Sequence, residues 1–272
     1  MRPKKKSPYK PKKAPKRNSE PAVGKWATPA NYNNDFFNFM RGEVARAYKA
    51  GTIVGETPDI AGAYFTKWAN EPTQIAVQGV FGCTVIVVAS RRGALVYHIW
   101  EDPVFGRWDK QHRKIDPPNE ADVSTAIRQL WLKDNSAPDQ MAGILDLRSD
   151  HPSYATDSKM DRAYHDVLNN DAFPQVWIIA PTDEVAQQLP YRYPTLVNQV
   201  EQDIRDIFAD QPNPYPNIPI YPLRYSPPAQ EMDANYATPG GKVLLQYQPA
   251  PDCQGQAQWR MWVEGKPIPG TS

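Results

Sequence analysis

The feature that most constrains the fold of this chain is a hydrophobic run from Thr84 to Ala89, which contains no charged residue. A run of this length that is rich in valine and isoleucine is typical of a strand buried on both faces. Arg91-Arg92-Gly93 follows, and its glycine is free to adopt the positive φ of a tight turn. A second apolar run extends from about Ala94 to Trp100. We therefore expect a β-hairpin at the centre of the fold.

Two reactive side chains flank this hairpin. Cys83 comes directly before the first strand, and His98 lies fifteen positions later, near the end of the second strand. These two ends of an antiparallel hairpin lie side by side, so the thiol and the imidazole are expected within reach of each other. Gly82 lets a substrate approach the sulfur closely, and the backbone N–H groups from Gly82 to Thr84 are candidate oxyanion donors. We predict that Cys83 is a nucleophile and that His98 lowers the pKa of its thiol.

The segment Gly82-Cys83-Thr84, followed by a hydrophobic strand, a basic turn and His98, resembles the active-site hairpin of the cytotoxic-necrotizing-factor type deamidases. The CheD-like chemotaxis-receptor deamidases share a similar Cys–His arrangement. The resemblance extends over residues 73–101 of the 272. It implies a β-sandwich core flanked by helices, and hydrolysis of the side-chain amide of a glutamine in a partner protein through a thioester. Transglutamination is then the natural side reaction, and no cofactor is implied.

The resemblance also implies a third group that orients the imidazole, on a strand before the hairpin. Val77 and Gln78 are the candidates for this role. Glu101 is a second candidate, although it lies three residues after His98 and a strand would point it to the opposite face.

Other functions stay open beside the deamidase. One alternative is an inert buried thiol at Cys83, with His98 packed beside Tyr97 and Trp100, in a relic that serves only to bind a partner protein. The remaining histidines, among them His112, have no metal-ligand spacing, so no metal site is expected.

Periodicity predicts the other elements, and together they indicate a mixed α/β (α+β) protein whose sheet is mostly antiparallel. The pattern predicts helices at 31–50, 59–68, 122–131 and 193–210. It predicts further strands at 73–80, 144–147, 176–180, 242–248 and 256–263. The proline-rich segment 211–228 is expected to form a loop or a sheet edge. We expect one globular domain over residues 26–272, preceded by a disordered basic tail over residues 1–25.

The charge of the chain is distributed unevenly. Met1 to Arg17 contains nine Lys or Arg residues and no acid, whereas the remainder has 22 basic and 30 acidic residues, a net charge of −8. The tail is typical of a nuclear-localisation signal or of an arm for nucleic acid or another anionic surface, which leaves a nucleic-acid-associated protein as a further alternative. No apolar run is long enough to span a membrane, and no secretion signal is seen, so the sequence predicts an intracellular protein with a nuclear import receptor as one partner.

Overall fold

The computed structural model describes residues 15–54, 60–105, 107–108, 114–116, 120–131, 142–150, 163–182, 191–210, 214–227, 238–250 and 257–269. Within these ranges lie the helices α1 (Phe36–Ala50), α2 (Glu120–Trp131) and α3 (Pro194–Ala209). The strands are β1 (Ala61–Lys67), β2 (Thr73–Val77), β3 (Thr84–Ala89), β4 (Gly93–Ile99), β5 (Arg107–Trp108), β6 (Lys114–Asp116), β7 (Gln175–Pro181), β8 (Ile220–Tyr225), β9 (Val243–Gln248), β10 (Gln258–Val263) and β11 (Lys266–Pro267).

The predicted hairpin is the centre of a five-stranded sheet. Its strands β3 and β4 are buried along their whole length, and the strand order is β1-β4-β3-β7-β8. Adjacent strands are antiparallel except β7 and β8. A second, wholly antiparallel sheet has the order β11-β10-β9-β2. These two sheets confirm the mixed α/β fold class with mostly antiparallel pairing.

The two sheets pack face to face, with helices on both outer sides. Residues from β3, β4 and β7 share one apolar core with residues from β2, β9 and β10. The opposite face of the five-stranded sheet is covered by α2 and α3. The outer face of the four-stranded sheet is covered by α1, through side chains such as Phe39 and Val44. The hairpin therefore lies in the interior of a β-sandwich, where a continuous apolar strand has no polar face to expose.

Local signals explain where the first helix begins and ends. The side chain of Asp35 accepts a hydrogen bond from the backbone N–H of Asn38 at 2.9 Å, which caps the first turn. Gly51 ends the helix in the left-handed conformation, at φ +71°. The predicted helix at 31–50 is thus confirmed, although a short 3₁₀ turn, Pro29–Tyr32, precedes it.

Two predicted elements are wrong. The pattern predicts a helix at residues 59–68, but Ala61–Lys67 is an edge strand paired with β4. Its side chains alternate between the two faces of the sheet, because Ala61 and Ala63 lie in the helix-covered core whereas Tyr64 packs against the core between the sheets. The pattern predicts a strand at residues 144–147, but Leu145–Leu147 is a 3₁₀ turn with a buried acid, Asp146, that accepts a hydrogen bond from the N–H of Gly143 at 2.8 Å.

Gly93 does not have the turn role that the sequence predicts for it. Its φ is not positive, and it is the first residue of β4 rather than a turn residue. A Cβ at this position would lie 2.1 Å from the carbonyl oxygen of Thr66. Glycine is therefore required here by the close approach of β1 and not by a turn conformation.

The first described residues are held against α1. The guanidinium of Arg17 donates to both carboxylate oxygens of Glu43, at 2.9 and 2.8 Å, and Glu43 also accepts from the hydroxyl of Tyr32 at 2.6 Å. Glu43 is fully buried, so Arg17 neutralises a charge inside the fold. No helix within the described ranges is long and apolar enough to cross a membrane.

Candidate active site

The two residues predicted to react lie at the same end of the β3–β4 hairpin. The register pairs Thr84 with Ile99 and Val85 with His98. Cys83 lies two residues before Val85 and shares with it the apolar core between the sheets. Because side chains alternate along a strand, Cys83 and His98 are diagonal neighbours on that face, at a spacing of about 7–8 Å for such pairs. The hairpin thus brings the predicted pair together on one face.

His98 is buried and electrically neutral. Its side chain is 1% exposed, and burial lowers its pKa to about 3. Its Nε2 atom has no hydrogen-bond partner among the described residues. This differs from the expectation that a charged imidazole lowers the pKa of the thiol, because the low-dielectric core disfavours the imidazolium. His98 is therefore the neutral imidazole in the fold, a form with one donor and one acceptor nitrogen.

The thiol of Cys83 is buried too, and its backbone carbonyl is held by a tyrosine that packs in the same core. Its residue is 4% exposed, and Sγ lies 3.8 Å from the carbonyl oxygen of Phe81. The hydroxyl of Tyr225, the last residue of β8, donates to the carbonyl oxygen of Cys83 at 2.9 Å. Burial above all, and then the neighbouring Cys83 and Glu101, raise the pKa of Tyr225 well above its ordinary value, so that the hydroxyl remains a donor.

Gly82 is packed tightly against an acidic side chain. It adopts φ +81°, and a Cβ at this position would lie 1.9 Å from Oε2 of Glu101. Only glycine meets both conditions without displacing the carboxylate. Glu101, two residues after the end of β4, therefore packs directly against the turn that precedes the thiol.

Glu101 belongs to a buried polar cluster that the sequence did not predict. Its Oε1 accepts from Nη1 of Arg192 at 3.0 Å and from the hydroxyl of Tyr193 at 2.5 Å. Burial lowers and Glu101 raises the pKa of Arg192, with a net increase, so the guanidinium stays charged. The observed bonds of Glu101 go to these two residues, on the opposite side of the strand from His98. No sequence signal identifies Arg192 or Tyr193, because they lie about ninety residues away and only the fold brings them to Glu101.

The supporting residues predicted from the sequence occupy different places. Val77 ends β2 in the second sheet and is buried in the core layer that also contains Cys83. Gln78 follows it and is half-buried. Thr84 is the first residue of β3, and its Oγ1 is buried with no hydrogen-bond partner in the described part of the chain. The orienting role of Val77 or Gln78 and the oxyanion role of the Gly82–Thr84 backbone stay predictions.

Trp100 is a further member of this site. Its ring lies 4.3 Å from that of His98, centroid to centroid, at an angle of 45°. Its indole Nε1 is buried and has no hydrogen-bond partner in the ranges that the structure describes. The site therefore contains two neighbouring side chains, His98 and Trp100, whose polar atoms are both unsatisfied. Sequence reasoning predicts only a packing role for Trp100 beside His98.

The described residues contain no group of three or more His, Cys, Asp or Glu side chains that could hold a metal ion. Cys253, the second cysteine, lies outside the described residues.

Comparison with solved structures finds a weak structural likeness. No protein-family model and no curated protein matches the chain. The C-terminal domain of CNFy from Yersinia pseudotuberculosis superimposes with a TM-score of 0.30 and 11% sequence identity, over 76% of this chain and 56% of that one. The chain thus spans just over half of that domain. A likeness this low places no residues of the two proteins in correspondence, so the function is argued from the chain's own residues.

Proposed function

We propose that this protein is a cysteine amide hydrolase that deamidates glutamine side chains of a partner protein. The observation that carries the proposal is the β3–β4 register, which sets Cys83 and His98 on one face at one end of the hairpin. The Nε2 of the buried His98, which has no hydrogen-bond partner among the described residues, supports it, because buried polar atoms without a partner are rare and a catalytic role is one explanation for them.

In this proposal His98 acts as a general base. Its neutral imidazole takes the thiol proton at Nε2 as the sulfur of Cys83 bonds to the carboxamide carbon, and the carbonyl π electrons move to oxygen. The imidazolium then gives its proton to the nitrogen as the carbon–nitrogen bond breaks and ammonia leaves. Water adds to the thioester, the carbon–sulfur bond breaks, and a carboxylic acid and the free thiol are formed. An amine in place of water would give the transglutaminase side reaction.

The choice of a protein glutamine as substrate comes from the resemblance of the Gly82-Cys83-Thr84…His98 segment to the toxin-type deamidases. A test is to incubate the full-length protein with a cell lysate and to measure by mass spectrometry which glutamines become glutamates. We expect the wild type to convert specific glutamines to glutamates, and we expect the Cys83→Ser and His98→Phe variants to convert none of them. The matched control is Cys253→Ser, which removes the chain's other thiol and should keep the conversions. Equal conversion by wild type and Cys83→Ser would contradict the proposal.

A second candidate is a protein-binding module built on an inactive form of the same hairpin. The observation in its favour is the burial of both side chains, since Cys83 is 4% and His98 1% exposed. This candidate predicts that Cys83→Ser leaves every interaction of the protein unchanged, whereas the hydrolase predicts the loss of all product.

We further propose that residues 26–272 form a single globular domain. The basic N-terminal tail before it contacts a nuclear import receptor or another anionic surface. Arg17 is already bound to Glu43, so the charges left for a partner precede it. Deleting residues 2–16 should abolish nuclear accumulation of a fluorescent fusion and leave the reactivity of Cys83 unchanged. Unchanged accumulation would remove this role from the tail.

A further inference from the structure

The indole N–H of Trp100 has no acceptor among the described residues, in contrast to those of Trp68 and Trp262. Trp68 donates through Nε1 to the carbonyl oxygen of Ser90 at 2.9 Å, and Trp262 donates to Oε1 of Gln246 at 3.1 Å. The Nε1 of Trp100 is buried without any such acceptor among the described residues. A buried donor without an acceptor is destabilising. The N–H group of Trp100 is therefore available to an acceptor that arrives from outside the chain.

The position of Trp100 indicates what this acceptor is. The β3–β4 register ends at the pair of Thr84 and Ile99. Cys83 directly precedes and Trp100 directly follows this pair, and both pack in the core between the sheets. Trp100 is the first residue after β4, and its ring lies 4.3 Å from that of His98, centroid to centroid. A carbonyl carbon bonded to the sulfur of Cys83 would thus lie between a base and a hydrogen-bond donor.

We propose that the indole N–H of Trp100 donates a hydrogen bond to the carbonyl oxygen of the acyl group that Cys83 attacks. The inference rests on the proposed function, because it assigns a role in the same reaction. An indole can only donate, so Trp100 favours a substrate with an acceptor oxygen there and stabilises the negative charge that develops on it. His98 faces the leaving nitrogen. The pair therefore recognises the two ends of one carboxamide group.

A control exists in the same chain. Trp131, in α2, also has a buried Nε1 without a partner among the described residues, but it packs against the core on the other face of the five-stranded sheet. Phenylalanine at either position removes the N–H group and keeps an aromatic ring. The two variants therefore separate the loss of a donor at the site from the loss of an indole in general.

The experiment compares two reagents for the thiol, in full-length protein carrying Cys253→Ser. Para-nitrophenyl acetate acylates a thiol through an oxyanion, whereas methyl methanethiosulfonate reacts at sulfur and forms no oxyanion. We expect Trp100→Phe to slow acylation of Cys83 about tenfold and to leave thiosulfonate modification unchanged, as for the loss of one hydrogen bond of about 1.4 kcal/mol in the transition state. Trp131→Phe should slow neither reaction.

The remaining outcomes overturn the inference in distinguishable ways. If Trp100→Phe slows both reactions equally, or neither, Trp100 does not bind the carbonyl oxygen, while His98→Phe still tests the proposed function by slowing both reagents. If Cys83 reacts with neither reagent in any variant, the proposed hydrolase fails and the role of Trp100 fails with it.

Discussion

Gly82 shows how a single residue sets the geometry of the proposed site. Its positive φ turns the chain into β3, and its missing side chain leaves room for the carboxylate of Glu101. That carboxylate is itself held by Arg192 and Tyr193. The position of the thiol therefore depends on an acid that comes from the opposite strand of the hairpin.

Gly82→Ala is expected to destabilise the protein by more than a positive φ alone explains. Gly51 is the matched control, since it has a similar φ of +71° and a Cβ added there would meet nothing within 4 Å. Alanine at Gly51 should cost about 1 kcal/mol of unfolding free energy, and alanine at Gly82 about 2 kcal/mol more because it displaces Glu101. Urea unfolding of both variants measures the difference. Equal losses would mean that Glu101 does not press on Gly82.

The neutral state of His98 predicts a pH-dependent stability. Its pKa is about 3 in the fold against 6.5 when unfolded, so the unfolded chain binds the extra proton between these values. The stabilisation is present above pH 6.5 and is lost as the pH falls toward 3. Lowering the pH from 7.5 to 5 should therefore reduce the unfolding free energy by about 2 kcal/mol through the titration of His98. His98→Phe should remove that part of the pH dependence, and an unchanged slope in urea unfolding would contradict a buried neutral imidazole.

The placement of Cys83 and His98 at the same end of one hairpin could be predicted from sequence, because the hairpin follows from the two apolar runs and the short turn between them. Tyr225 and Arg192 could not be predicted. They reach the site across sequence separations of 142 and 91 residues, which no local pattern encodes.

At the scale of elements, the strongly periodic helices and the continuous strands were predictable, and the failures have local causes. The strand at Ala61–Lys67 contains small residues and gains its conformation from pairing with β4, so tertiary contacts override its apparent helical spacing. The strand β8 contains Pro222, which is tolerated because β8 is the edge of its sheet. The sequence predicted only that this proline-rich segment would be a loop or an edge.

The strand β8 is expected to position the nucleophile through its last residue. Tyr225→Phe removes the hydrogen bond to the carbonyl oxygen of Cys83 and should lower the unfolding free energy by about 1 kcal/mol while slowing acylation of the thiol. Tyr221→Phe, on the same strand, removes a hydroxyl from a side chain that is 43% exposed and should change neither quantity. A Tyr225→Phe protein with wild-type acylation would show that this bond supports the fold alone.

At the scale of the whole molecule, a β-sandwich between two helical layers buries the proposed site and limits its contact with water. Both sheets contribute to the core that contains Cys83, so its thiol and the imidazole of His98 lie where water is scarce. Such an environment disfavours the thiolate–imidazolium ion pair. The helices on the outer faces hold this arrangement without contributing to the predicted pair.

The most direct test of the central claim is the rate at which iodoacetamide alkylates Cys83 between about pH 5 and pH 9, in wild type and His98→Phe, both with Cys253→Ser. A neutral base at His98 predicts that the wild type reacts at least about tenfold faster below the ordinary thiol pKa of about 8.5, and that the two curves converge above it as the thiolate forms without help. Curves that coincide over the whole range, or a thiol that does not react, would contradict the hydrolase and leave the protein-binding module.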